Sequence, residues 1–159
     1  FLVTGQSWFG GGADMTPTFI NKNDTKLFHS KLEKACQNHN KEYYPKFKKN
    51  CDEYFYLPHR EEARGDGGIF FDHLNTGQWD KDFSFVKDVG IKTLEAISQI
   101  VKNHKDQSWT LEEKEQQLIK RGRYVEFNLI WDKGTLFGLK TGGSTEAILM
   151  SMPPTAKWT

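Results

Sequence analysis

The sequence predicts an α+β fold, an antiparallel β-sheet with helices packed on it. Three observations lead there. Several stretches carry apolar residues at the three- and four-residue spacing of a half-buried helix. Others are short apolar or alternating runs bounded by glycine, the mark of strands. Strands and helices do not follow one another in the regular alternation of a parallel βαβ sheet.

Taken in order, "SWFGGGADMTP" (Ser7 to Pro17) reads as the end of a strand running into a glycine loop. Asp24 suits the N-cap of a helix reaching about Asn38, with Leu27, Phe28, Leu32, Ala35 and Cys36 as its apolar stripe. Pro45 belongs in the first turn of a second helix, whose stripe is Tyr44, Phe47, Cys51, Tyr54 and Phe55. "LPHREEARGDGG" (Leu57 to Gly68) is a charged connection, and "GGIFFDHL" (Gly67 to Leu74) a short strand. A long helix follows over Asp82 to His104, with Val86, Val89, Gly90, Leu94, Ile97 and Val101 inward. Thr110 and Glu113 form a capping box for a polar helix to about Lys120. Arg123 to Asp132 alternates like a strand, with a hairpin turn at Lys133-Gly134, and "TEAILMSMPP" closes the chain as a short buried element.

The 159 residues suit one domain or part of a larger one. Lys plus Arg number 22 against 21 Asp plus Glu, without the basic excess of a general nucleic-acid binder. No apolar run approaches the ~20 residues of a membrane helix. Cys36 and Cys51 lack metal spacing and read as buried free thiols of a reducing compartment. "FLVTG" and "AKWT" read as ends cut through structured sequence, so the chain is expected to be a fragment, one domain lacking its N-terminal portion.

Four features bear on chemistry. As a strand, the 123–132 stretch would bury Val125, Phe127, Leu129 and Trp131 and show a mixed face of Tyr124, Glu126, Asn128, Ile130 and Asp132. That face is either a half-solvated sheet surface or a pocket wall. "TGGST" (Thr141 to Thr145) offers either an anion nest of backbone N–H groups or a plain turn. "KRGR" places Lys120, Arg121 and Arg123 just before the predicted strand, where they would attract a polyanion if they flank a pocket. Of the five histidines none forms a compact metal motif; His29 and His59 read as one packed and one surface residue.

Together, "SWFGGGADMTP", "YYPKFKKNCDEYFYLPHREEARGDGGIFFDHL", "RGRYVEFNLIWDKGTLFGLKTGG" and "AILMSMPP" resemble the oxygen-dependent coproporphyrinogen III oxidases, in order and spacing from one end of the chain to the other. The resemblance covers that family's middle and C-terminal part. It implies an antiparallel sheet flanked by helices on both sides, in a homodimer whose interface includes about residues 124–159. It implies oxidative decarboxylation of two propionates of coproporphyrinogen III to vinyl groups, giving protoporphyrinogen IX. Oxygen is the acceptor, carbon dioxide and hydrogen peroxide leave, and no flavin, haem or nicotinamide takes part. A cytoplasmic location follows if the source is bacterial, a mitochondrial or plastid one if it is eukaryotic.

By the same resemblance, Asp132 binds the pyrrole N–H groups, with Arg123 and Lys133 as neighbouring cations toward the substrate. Gly142, Gly143 and Ser144 match a substrate-binding "GGR", and His29 and His59 match two ligands of a divalent metal, possibly manganese. Further histidines, the proposed proton donor included, would lie upstream of Phe1. The chain departs from the family at four places: Lys133 and Ser144 stand where arginine is usual, Asp66 where an apolar residue is, and His73 where aspartate is. Those departures leave room for a different class, a non-catalytic tetrapyrrole- or anion-binding relative.

Overall fold

The computed structural model describes Leu2, Val3 and residues 6–158, with backbone alone for Leu2, Val3 and Gln6. Its elements are β1 (Leu2–Val3), β2 (Gln6–Ser7), β3 (Phe9–Met15), α1 (Lys22–Gln37), α2 (Tyr43–Tyr54), β4 (Tyr56–Leu57), β5 (Glu62–Ala63), β6 (Gly67–Leu74), α3 (Trp79–His104), α4 (Leu111–Glu126), a π-helix (Phe127–Trp131), α5 (Lys133–Lys140) and α6 (Thr145–Ile148). They fall into two compact units. The first holds residues up to Tyr56 with Gly65–Gln107; the second holds Leu57–Arg64 and the chain from Ser108 onward.

In the first unit β3 and β6 pair antiparallel, Gly12 opposite Phe70 and Ala13 opposite Ile69. Strand alternation then puts Phe9, Ala13 and Met15 beside Ile69 and Phe71 on one face. Against that face pack Phe28, Leu32, Ala35 and Cys36 of α1, Phe47 of α2, and Phe85, Val89 and Ala96 of α3. On the other face Tyr54, at the end of α2, stacks on Phe70 with ring centroids 4.8 Å apart. The α+β class and the antiparallel pairing are therefore as expected, and β6 has the predicted bounds. Both cysteines are buried and free. Burial, reinforced by Glu33 and Asp88, pushes the Cys36 thiol up to about 12.

Two details differ here. The N-cap of α1 is Asn21, whose side chain accepts from the N–H groups of Asn23 and Asp24. Asp24 is instead buried in the first turn, where its carboxylate pairs with His104 Nε2 at 2.6 Å. Helix α3 starts earlier, at Trp79, and buries Asp82, Phe85, Val89 and Ala96. Leu94 and Val101, expected inward, are 68% and 51% exposed. The stripe is rotated so that small Ala96 lies inward, which lets α1 and α3 approach closely.

The second unit departs further. Its capping box is as predicted: the Glu113 N–H donates to Thr110 Oγ1 (3.1 Å) and the Thr110 N–H to Glu113 Oε2 (2.6 Å). The helix it starts does not stop near Lys120 but runs to Glu126 and on into the π-helix. The predicted strand over Arg123–Asp132 is thus helical. Its aromatic and branched residues favour strands only weakly, and a helix already nucleated by a good cap carries them along. Of the four residues expected inward only Phe127 is buried; Leu129 and Trp131 are 43% and 40% exposed. Lys133-Gly134 opens α5 instead of turning a hairpin. The closing "TEAILMSMPP" is not a buried element, for α6 has no buried residue and Met150 is exposed. The C-terminal segment returns to α4, where the Lys157 N–H donates to the Leu118 carbonyl (3.0 Å). It comes so close that a side chain at Gly122 would strike the Lys157 carbonyl. No described helix is long and apolar enough to cross a membrane.

Candidate active site

In the second unit the charged connection Leu57–Arg64 meets the end of α4 around Glu126, a buried carboxylate. Arg60 binds it with both arms of its fork, Nε to Oε2 at 3.0 Å and Nη2 to Oε1 at 2.6 Å. His59 Nε2 donates to Oε2 at 2.8 Å, and Arg123 Nη1 stands 3.5 Å from Oε1. The Arg60 hydrogen bond is the main reason this carboxyl lies at about 2. Burial opposes it, while His59 and the Arg60 and Arg123 charges add to it. Arg123 is also held by Glu62 (Nε to Oε1, 3.1 Å), and Lys120 approaches the same carboxylate at 3.8 Å. Arg64 lies over the rings of Tyr124 and Phe127, and Arg121 over Tyr124. The two basic stretches, 60–64 and 120–123, so form one cation-rich region braced by two acids.

The π-helix leads from this region to Asp132. Its five-residue hydrogen bond, Asp132 N–H to the Phe127 carbonyl, is 2.9 Å. Buried Asn128 donates from Nδ2 to the Tyr124 carbonyl (2.8 Å), which the widened turn would otherwise leave short of a partner. Trp131 donates from Nε1 to His59 Nδ1 (3.0 Å), with the two rings stacked. Asp132, the N-cap of α5, accepts from the Thr135 N–H and hydroxyl through Oδ2, both at 2.7 Å.

The structure brings His59 and Arg123 together through Glu126, and Asp132 is reached from them through Trp131. Lys133 follows Asp132 as the exposed first residue of α5. Gly142 and Gly143 lie at the other end of that helix and close it. Gly142, at φ +73°, takes the left-handed position; its N–H donates to the Leu139 carbonyl (3.4 Å) and that of Gly143 to the Gly138 carbonyl (3.0 Å). The N–H groups that an anion nest would offer are directed to the helix end. Ser144 caps α6, accepting from the Ala147 N–H.

His29 lies in the first unit. Its Nε2–H donates to the Asp66 carbonyl (3.0 Å), so Nδ1 accepts the Tyr44 hydroxyl proton (2.9 Å). Burial pushes the Tyr44 phenol up to about 12, which keeps it a donor. Asp66, one of the departures from the family pattern, also accepts from the Thr25 hydroxyl (2.5 Å). Sequence reasoning missed Arg60 and Glu126, which are 66 positions apart and linked by no local pattern.

The family model for coproporphyrinogen III oxidase matches residues 3–159. The chain belongs to the coproporphyrinogen III oxidase family. Curated relatives named oxygen-dependent coproporphyrinogen-III oxidase include those of Rickettsia akari and Rickettsia bellii, each 55% identical over 158 residues, and that of Rickettsia rickettsii at 54%. In each case the match covers 99% of this chain and 57% of the relative. The family's tetracarboxylate chemistry and the cation-rich region of the second unit are compatible: a polyanion needs such a region, whereas neutral substrates do not.

Proposed function

We propose that the protein to which this chain belongs oxidatively decarboxylates two propionates of coproporphyrinogen III, with oxygen as acceptor, in haem biosynthesis. The observation that carries this is the match along residues 3–159 to one enzyme family, with identity of 55% to relatives bearing that name. For each propionate, loss of carbon dioxide from the carboxylate and of one C–H bond leaves a vinyl group. The two electrons released go to one oxygen molecule, which with two protons becomes hydrogen peroxide. This chain's residues would bind and orient. The arginines and Lys133 would meet propionates at the rim. Asp132, ionised, would accept pyrrole N–H groups and stabilise positive charge building on an electron-rich pyrrole.

The test is turnover of coproporphyrinogen III by the full-length protein under oxygen, with Asp132→Asn beside it. Asparagine can still cap α5, so the helix survives while the charge is lost. A hydrogen bond to a charged group contributes ~1.5–3 kcal/mol, so efficiency should fall about ten- to a hundredfold. A variant of unchanged melting temperature and near-normal turnover removes Asp132 from the chemistry. Binding of the substrate without any product in the parent would favour the binding-only relative.

The homodimer, with an interface including about residues 124–159, belongs to the same proposal. Leu129, Ile130, Trp131, Phe137, Leu139 and Met150 are exposed there, more apolar surface than a solvated tail needs. Sedimentation of the full-length protein as a monomer at micromolar concentration would refute it. A cytoplasmic location is proposed from the bacterial relatives. For a divalent cation the donors described here are a poor fit. His29 and His59 each engage both ring nitrogens, and no group of three candidate ligands occurs among the described residues. Manganese held by these two would have to displace those bonds. Metal content unchanged by His29→Ala with His59→Ala leaves both histidines their present structural roles.

A further inference from the structure

We propose that Glu126 is a positioning residue for Asp132, acting through His59 and Trp131 and through the π-helix between them. The inference rests on the reading of Asp132 given above. A buried carboxylate that served packing alone would need one cation. Glu126 instead collects Arg60 with both oxygens and His59 with one of them, from a connection more than sixty residues away in sequence.

The consequence lies in the second nitrogen of His59. The carboxylate accepts from Nε2–H, so Nδ1 is left as the acceptor for the indole N–H of Trp131. Trp131 is the last residue of the π-helix and the immediate neighbour of Asp132. Its ring is 40% exposed, too little buried for packing alone to fix it, and the imidazole hydrogen bond and stacking supply the restraint. The backbone supplies a second path: Glu126 ends α4, and the Asp132 N–H bonds to the carbonyl of Phe127, the residue after Glu126. Both paths converge on where the Asp132 carboxylate stands. A misplacement of about 1 Å can cost on the order of a hundredfold in rate.

Glu126→Gln keeps the shape but presents an amide –NH2 to neighbours that are all donors. In the full-length protein, kcat should fall about tenfold, with KM changed less than about threefold because the rim cations stay. Acrylamide quenching of the Trp131 emission, taken as the difference from Trp131→Phe, should rise. The deciding measurement is a double-mutant cycle with Asp132→Asn. If Glu126 acts through Asp132, adding Glu126→Gln to Asp132→Asn should cost less than about twofold more. Multiplying losses with an unmoved Trp131 signal would overturn the proposal and leave Glu126 a stability residue. Should Glu126→Gln fail to fold, His59→Leu breaks the same relay at an exposed side chain and must show the same non-additivity. A normal rate for Asp132→Asn would instead overturn the reading of Asp132, and this inference with it; in the other case Asp132→Asn is slow and only the coupling is missing.

Discussion

The two units are held together by different means. The first closes over aromatic and aliphatic side chains from three helices and a strand pair, Phe28, Phe47, Phe71 and Phe85 among them. In the second, the buried residues described are Leu57, Gly122 and Phe127 beside the polar Glu126, Asn128 and Thr135. Hydrophobic burial is non-directional and tolerates small shifts. Hydrogen-bonded polar groups in a low-dielectric setting fix particular atoms in particular places, and leaving one unmatched is expensive. A scaffold needs the first kind of order and a site for a polyanion needs the second. The division of the chain therefore tells where to look for chemistry.

The contrast can be broken most sharply in the first unit. Phe71→Ala removes a ring that packs against Phe47 and Phe85 at centroid distances of 5.3 and 5.0 Å. It should cost about 3–5 kcal/mol in denaturant titration. A loss under 1 kcal/mol would mean that this core is not what stabilises the unit.

Glu126→Gln is the counterpart in the second unit and should cost about 1–3 kcal/mol at neutral pH, since Arg60 and Arg123 remain without their shared acceptor. Its pH dependence is the better signature. The Glu126 carboxyl lies at about 2 when folded, below the ordinary 4.5. A depressed carboxyl contributes stability above its unfolded value and loses it as pH falls through the folded one. The gap between parent and variant should therefore be full near pH 6 and shrink steadily from about pH 4.5 to pH 2. Urea midpoints that keep a constant gap over that range would place the carboxylate outside the stability of the unit.

The smallest effect is at Gly142. A side chain at φ +73° is strained, yet nothing lies within 4 Å of the position one would occupy. Gly142→Ala should cost about 1 kcal/mol through the backbone alone. A gain in stability would show that the helix end relaxes into another turn.

How much of this the sequence carries differs between the units in the same way. Local signals were legible: the Thr110–Glu113 box, Pro45 in the first turn of α2, and the apolar run of β6 between Gly67 and Leu74. The stripe of α1 was legible too, because Phe28, Leu32, Ala35 and Cys36 face one core. The segment from Arg123 to Asp132 was not. Its alternation mimics a strand, and what decides the matter is an upstream cap and a π-turn that shifts every later residue. The family resemblance and Asp132 could be found from motifs. The Arg60–Glu126 pair could not, since an ion pair across 66 positions leaves no periodic trace.

The π-helix makes chain length, rather than side-chain identity, the critical variable between Glu126 and Asp132. It holds one residue more per turn than an α-helix would. Deleting Leu129 or Ile130, both exposed, would remove little buried surface and let the segment wind as plain α-helix. Each α-helical residue advances the chain by about 100°, so everything after the deletion would be turned by roughly that angle. Asp132 would point elsewhere though no contact of its own had been altered. The widened turn works as a phase setting, open to substitution and closed to insertion or deletion.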